Sequence, residues 1–314
     1  MKTKVFNFVK PSLTATLNSN RISDFISRTL KVPLTWDDQV CAEPLDILII
    51  VNGPYAFCAH REQIGKAIEQ AKRIVWVQND YTVIPPKPTT NAESPFRAAW
   101  RVRAQHGKPH MDFWTTVQES ADATPLSSYV NWNSMSYETP PDLETLRRNA
   151  SRDLFYFGAY RKGRETYFHR YFDDCPVPVS ISGAKPEWKK NWPNANVLPA
   201  MKPVDIPREL AKHGLGLYIE DKKSHSHYHS PASRFYEMLG AGLPMVFQPE
   251  SVPMLTRGGF DVRRYVINSM EDIPRFMRQR ETVRKEQHNA WATDYVGKLR
   301  RALLRAYDKV KEGV

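Results

Sequence analysis

Arg234 and Glu237 stand three residues apart in the run SPASRFYEMLGAGLPMVF, residues 230–247. At that spacing they share one face of a helix. The run reads as a polar loop, a short helix, a stop at Gly240 and Gly242, and a strand Leu243–Phe247. In an open α/β sheet, ligands gather at the carboxyl ends of strands, where a following helix aims its first amides at anions. A guanidinium suits a diphosphate, and a carboxylate suits the paired hydroxyls of a ribose. Together they fit the chemistry of a nucleotide-sugar site, and so a glycosyltransferase. An ordinary helix carrying a surface ion pair is the plainer reading of the same residues.

A second basic motif, Gly158-Ala159-Tyr160-Arg161-Lys162-Gly163-Arg164, falls between a strand and a helix. Glycine permits close backbone approach, and Arg161 and Arg164 add charge for a diphosphate. A basic surface turn is the alternative, but this turn and the 230–237 segment would converge on one sheet edge. Asp80 directly follows another strand. A lone Asp there commonly forms a turn; as a general base it must reach an acceptor hydroxyl. His225, His227 and His229 alternate in a polar loop without a carboxylate or cysteine to complete a metal set, apart from Asp221 at awkward spacing. A loop closing on sugar or phosphate and a solvated loop are the competing readings. Residues 96–108 interleave aromatics with cations: Arg97, Trp100, Arg101, Arg103 and Lys108. Cations of this kind track phosphates while an aromatic stacks on or wedges between bases, unless the segment is a solvated helix face.

These residues need strands and helices to hold them. In the first half, Lys4–Val9 reads as a strand and Ile22–Leu30 as a helix, with Ile22, Phe25, Ile26 and Leu30 at helical spacing. The strand Leu45–Val51, a helix from Arg61 to Ala71 and the strand Arg73–Gln78 make a βαβ pattern, hence a parallel sheet. Prolines at 85, 86, 88 and 95 mark a loop, and Pro140-Pro141 a linker. The second half starts again with strand Leu154–Phe157, a helix Arg164–Phe172, and strands Val177–Ser182 and Gly214–Ile219. The 230–247 unit follows, then a helical tail from Asp272 to Val310. The expected fold class is α/β of the GT-B kind, two facing Rossmann-like domains with a cleft between them. The expected domains are 1–145 for the acceptor DNA and 146–290 for the nucleotide-sugar. A C-terminal helix, 291–314, packs back on the first domain.

The chain of 314 residues is long enough for two domains, and its net charge of +11 calls for an anionic partner. Cys41, Cys58 and Cys175 form neither a disulfide framework nor a zinc knuckle, which suits a reducing cytoplasm. The N-terminal apolar run is interrupted at once, unlike a signal peptide, and Leu45–Val51 is too short to cross a bilayer.

On these motifs the chain resembles the T-even-phage DNA β-glucosyltransferase family, best over 154–275 and more weakly over 45–88. The family's Gly-rich turn with two arginines is matched by Gly158 to Arg164, its Lys-rich Asp loop by Asp221-Lys222-Lys223, and its Arg-x-x-Glu helix by Arg234 and Glu237. The resemblance implies that Arg161, Arg164 and Arg234 bind the donor diphosphate, that Glu237 holds the ribose, and that Asp221 lies near the glucose. It implies Asp80, with Pro85 beyond it, as the base. Ala159 stands where the family has a serine, the turn is one residue shorter, and 96–140 does not align.

The resulting expectation is an inverting transferase that moves glucose from UDP-glucose to the hydroxymethyl group of a pyrimidine in double-stranded DNA, after flipping the base. Asp80 is its base. Gly158, Ala159, Arg161, Arg164, Asp221, Arg234 and Glu237 bind the donor, and Arg97, Trp100, Arg101, Arg103 and Lys108 bind DNA. No essential metal is expected, a divalent cation being at most a stimulant. The expected setting is a monomer in the (host) cytoplasm without membrane attachment. A transferase for a surface glycan or small acceptor, and a non-catalytic DNA-binding protein on the same fold, are the alternatives.

Overall fold

Continuous apolar runs such as Ile47–Val51 are the mark of strands buried on both faces of a parallel sheet, and the strand pairs among the described residues are all parallel. The computed structural model describes residues 1–7, 18–36, 43–51, 61–78, 111–116, 126–136, 143–183, 185–202, 205–221, 231–292 and 295–313. They divide into two compact units, Met1–Trp132 with Gly297–Val314, and Asn133–Val296. Among the described residues no helix is long and apolar enough to cross a membrane.

The first unit holds β1 (Thr3–Asn7), α1 (Asn18–Leu30), β2 (Leu34–Thr35), β3 (Ile47–Val51), α2 (Arg61–Gln70), β4 (Arg73–Gln78), β5 (Asp112–Thr115) and β6 (Ser128–Tyr129). The sheet order is β2-β1-β3-β4-β5-β6. Ile22, Phe25 and Ile26 of α1 are buried, while Asp24 and Arg28 pair on its exposed side. The register is set by full burial of β3 between its neighbours, Val51 lying opposite Asn7 on one side and Val77 on the other. The C-terminal helix, Tyr295–Glu312, belongs to this unit and buries Leu299, Leu303, Ala306, Tyr307 and Val310. Its Tyr307 hydroxyl donates to Thr3 Oγ1 at 2.9 Å, and its Lys309 Nζ donates to the Ser127 carbonyl at 2.9 Å.

In the second unit α3 (Leu143–Arg148) precedes β7 (Leu154–Phe157), α4 (Glu165–Phe172), β8 (Val179–Ser182), α5 (Pro186–Asn191), β9 (Asn196–Leu198), α6 (Ile206–Leu210) and β10 (Leu215–Tyr218). Then come α7 (Ser233–Gly240), β11 (Met245–Phe247), α8 (Val252–Arg257), α9 (Ile273–Arg278) and α10 (Arg280–Trp291). The sheet order is β11-β10-β7-β8-β9, so successive connections run outward from β7 in one direction and then restart at β10 on its other side. That reversal between β7 and β10 is a topological switch point, where the loops leaving two adjacent strands diverge and open a crevice.

Gly216 lets α7 pack close, since a Cβ there would lie 2.6 Å from Met238 Sδ. Tyr156, Phe168, Phe172, Trp188 and Trp192 form an aromatic core on one side of the sheet, and Phe235, Phe260 and Trp291 another cluster. The edge strand β11 is capped by a side chain: Gln287 accepts from Met245 N at 2.8 Å and donates to its carbonyl at 2.7 Å. This amide stands in for a neighbouring strand.

Two differences from the sequence reading concern local signals. The expected single tail helix is three, α9, α10 and the C-terminal helix, because helix-forming composition persists through Gln279 while the backbone there leaves helical geometry. Strands β2, β5, β6 and β9 lie where the sequence reading places no strand, being too short for their alternation to show.

Candidate functional site

The site is built where β7 and β10 end. Gly158 follows β7 with φ at +141°, a conformation few side chains adopt. A Cβ there would lie 3.1 Å from Arg234 Nη1 and 3.2 Å from Tyr156 Oη, so it would also crowd both side chains. The chain then passes the exposed Ala159 and Arg161 into a 3-10 turn, Lys162–Arg164, that leads into α4. Glu220 and Asp221 follow β10 closely, and Arg234 sits in the first turn of α7.

The side chains converge on Glu220, which is 2% exposed. Arg164 Nη2 donates to its Oε2 at 2.6 Å, and Arg234 Nε lies 3.2 Å from its Oε1. Both guanidiniums also share one phenol: Tyr156 Oη accepts from Arg164 Nη1 at 3.2 Å and from Arg234 Nη1 at 3.0 Å. Asp221 Oδ2 lies 3.4 Å from Arg161 Nη1 and 3.5 Å from Arg164 Nη2. Burial alone would lower the pKa of Arg234, but the Glu220 carboxylate and the Tyr156 and Tyr218 oxygens reverse this and hold it above its ordinary value. Burial, reinforced by Glu220, pushes the Tyr218 hydroxyl well up. It stays a neutral phenol and accepts from Ala232 N at 2.9 Å, meeting a free amide at the start of α7.

Three cations thus meet two carboxylates. The arginines differ in reach: Arg164 is 2% exposed, whereas the side chains of Arg234 and Arg161 are 14% and 60% exposed. Arg164 Nε is buried with no hydrogen-bond partner among the described residues. Glu237, one turn beyond Arg234, is 9% exposed.

The structure therefore brings together Gly158, Arg161, Arg164, Asp221 and Arg234 of the sequence-derived set, with Ala159 in the same turn and Glu237 further along α7. Asp80 lies outside the described residues, as do Arg97, Trp100, Arg101, Arg103 and Lys108, Lys222 and Lys223, and His225, His227 and His229. Sequence reasoning missed Glu220 and Tyr156. The only trace of Glu220 was a second acid beside Asp221, and Tyr156 reads as one more apolar strand residue. Among the described residues no three His, Cys, Asp or Glu side chains gather as metal ligands. The carboxylates present, Glu220 and Asp221, both face guanidiniums, a poor set for a cation. An open cavity of about 610 Å³ lies at the amino end of β8, lined by 172–179 and 191–195, away from these residues.

The structure superposes on that of T4 phage β-glucosyltransferase with a TM-score of 0.64 at 13% identity, covering 99% of both chains. It matches T4 phage BGT in complex with its UDP-glucose substrate equally well, at 14% identity and TM-score 0.64 over 99% of both chains. An α-glucosyltransferase in complex with UDP and a 13-mer DNA containing an HMU base matches at 12% identity and TM-score 0.58, over 92% of this chain and 95% of that one. No family model and no curated protein matches the sequence. At these identities the likeness is one of architecture: the chain has the GT-B fold of the phage glucosyltransferases.

Proposed function

We propose that this protein is a DNA glycosyltransferase that transfers glucose from UDP-glucose to the hydroxymethyl group of a modified pyrimidine in duplex DNA. The observation that carries this reading is the Arg161/Arg164/Arg234 cluster at the β7/β10 switch point, on a fold whose solved examples were captured with UDP-glucose and with HMU-containing DNA. In this reading Arg161 and Arg234 face the diphosphate and Arg164 supports them from within. Glu237 takes the ribose hydroxyls, and Asp221 lies near the sugar. The fixed positive charge of the three arginines stabilises the UDP that departs, without reorganisation at the moment of reaction.

Asp80, two residues beyond the end of β4, is the proposed base. It accepts the hydroxyl proton while the oxygen bonds to the anomeric carbon and the carbon–phosphate oxygen bond breaks on the opposite face, so the anomeric centre inverts. Three other acids of the first unit are committed elsewhere. Asp24 pairs with Arg28, Asp46 with Lys72, and Asp112 with Arg73 at 2.7 Å. One neighbour was captured with UDP and Mn2+; in this chain the arginines supply the positive charge at the leaving diphosphate. A base held in the stack cannot reach a reacting centre, so the target nucleotide is flipped.

The exposed face of the C-terminal helix supports a polyanionic acceptor. Lys298, Arg300, Arg301 and Arg305 stand there, while Lys309 donates to the Ser127 carbonyl and Lys311 pairs with Asp308. These cations, with the 96–108 segment, position the duplex through its phosphates. The protein works as a monomer in the cytoplasm.

The test is incubation with hydroxymethylcytosine and hydroxymethyluracil DNA and a panel of UDP-sugars, read by nucleoside mass spectrometry. A hexose-shifted nucleoside is expected, and Asp80→Asn should lower turnover by roughly 10²–10⁴ with UDP binding intact. No transfer to either DNA would refute the reading.

A further inference from the structure

The diphosphate cluster contains a carboxylate that opposes its own ligand. A site built only to hold a diphosphate gains nothing from a second buried anion at 2.6 Å from one arginine and 3.2 Å from another. Burying Glu220 is itself costly, and its two cationic partners offset that cost. Its backbone is pinned as well, since Gln248 Nε2 donates to the Glu220 carbonyl at 3.0 Å from a fully buried position. This carboxylate is therefore held in place from both ends.

We infer that Glu220 is a positioning residue that acts through Arg164 and Arg234, setting both their geometry and the net charge that the donor diphosphate meets. With its two oxygens divided between two guanidiniums, Glu220 aligns both against the shared Tyr156 hydroxyl. Its negative charge also discounts the pull of the arginines, so that the UDP leaving group is stabilised as it forms and still released. The inference rests on the donor reading above. It adds a function that fold and motif do not carry: control of nucleotide release by an internal counter-anion.

The experiment compares UDP affinity by calorimetry and steady-state transfer for the full chain, Glu220→Gln and Glu220→Asp. Glu220→Gln keeps shape and one acceptor oxygen but removes the charge. It should bind UDP at least about tenfold more tightly, because a unit charge within about 10 Å of the diphosphate, at an effective dielectric of about 20, is worth at least that factor. Its kcat should fall with KM for UDP-glucose as release becomes limiting. Glu220→Asp keeps the charge and should return UDP affinity to within about threefold of wild type.

Loss of a purely structural carboxylate would weaken UDP binding or leave it alone; it would not tighten it. Equal or weaker UDP binding by Glu220→Gln, in a folded protein, overturns the inference while leaving the donor reading in place. Should Glu220→Gln be unfolded, the salt dependence of UDP binding to Glu220→Asp decides: a slope and affinity like wild type support the inference, and an affinity more than about threefold weaker overturns it. If the wild type binds no UDP, the donor reading falls, and this inference with it.

Discussion

At the amino end of the second sheet Asp153 is buried beside His213, and at the carboxyl end Glu220 is buried beside Arg164 and Arg234. Both carboxylates join segments about sixty residues apart. Their partners differ in kind. Asp153 Oδ1 accepts from Gly214 N at 3.0 Å and from the Ser151 hydroxyl, and Oδ2 lies 2.7 Å from His213 Nδ1. Arg147 Nη1 seals the same end by donating to the His213 carbonyl at 2.7 Å. Gly214 packs so closely that a Cβ would meet the Ser151 carbonyl at 2.6 Å.

Ser, Asp and His are all present at the amino end, yet the aspartate sits between the other two, so the serine faces a carboxylate and not the histidine, and the order that activates a nucleophile is not made. This is a latch fastening β10 to β7. The carboxyl end gathers more cation than anion and leaves Arg161 exposed. In a parallel sheet the strand ends are not equivalent: loops after strands diverge at the switch point, and those before strands must close the core. One end is built for stability, the other for an anionic ligand.

That contrast can be broken most directly at the latch. Asp153→Ala should cost roughly 3–5 kcal/mol in urea unfolding, because it strands buried donors on His213 and Gly214. The remaining folded protein should bind UDP like wild type. Weakened UDP binding at unchanged stability would reverse the assignment of the two ends. The counterpart is Glu237→Ala, which should weaken UDP by roughly 1.5–3 kcal/mol, the worth of a hydrogen bond to a charged group, with the unfolding midpoint nearly unmoved. A large stability loss with normal UDP affinity would make Glu237 part of the core instead.

Acid titration sharpens the same comparison. Burial by itself raises the Asp153 pKa, but the bonds from His213 and Ser151 outweigh it and hold the carboxyl well below the usual range. A carboxyl depressed in the native state contributes stability that is complete above about pH 4, near its unfolded pKa, and disappears as pH falls through the native value. The acid limb of the stability curve should therefore flatten in Asp153→Asn, and an unchanged limb would show that other groups govern acid unfolding. The smallest effect expected lies in the first unit. Replacing Arg300, Arg301 and Arg305 by Gln should reduce the salt dependence of duplex DNA binding, by about 0.9 in log–log slope for each phosphate no longer neutralised. UDP affinity should not change, and an unaltered slope would make this helix face merely solvated.

The local half of this architecture was open to reading from the chain alone. The Gly158 turn and the Arg234/Glu237 spacing are short-range patterns, each defined within seven residues, so their glycine geometry and helix face follow from backbone rules. The runs Leu154–Phe157 and Ile47–Val51 likewise announce buried parallel strands. The break of the tail into three helices was not open in this way, because propensity does not fall where the chain bends at Gln279.

What sequence by itself determined was the α/β class, the basic turn and the helix that face one sheet edge. Tertiary structure alone decided that Arg164 is buried rather than presented, that Tyr156 and Glu220 sit between it and Arg234, and that Asp153 is a latch. Each depends on strand order. Placing β10 beside β7, with β8 on the other side, brings residues 56, 60 and 78 positions apart into contact. No periodicity within a segment encodes which strand will be its neighbour, since that choice is made by packing the whole sheet.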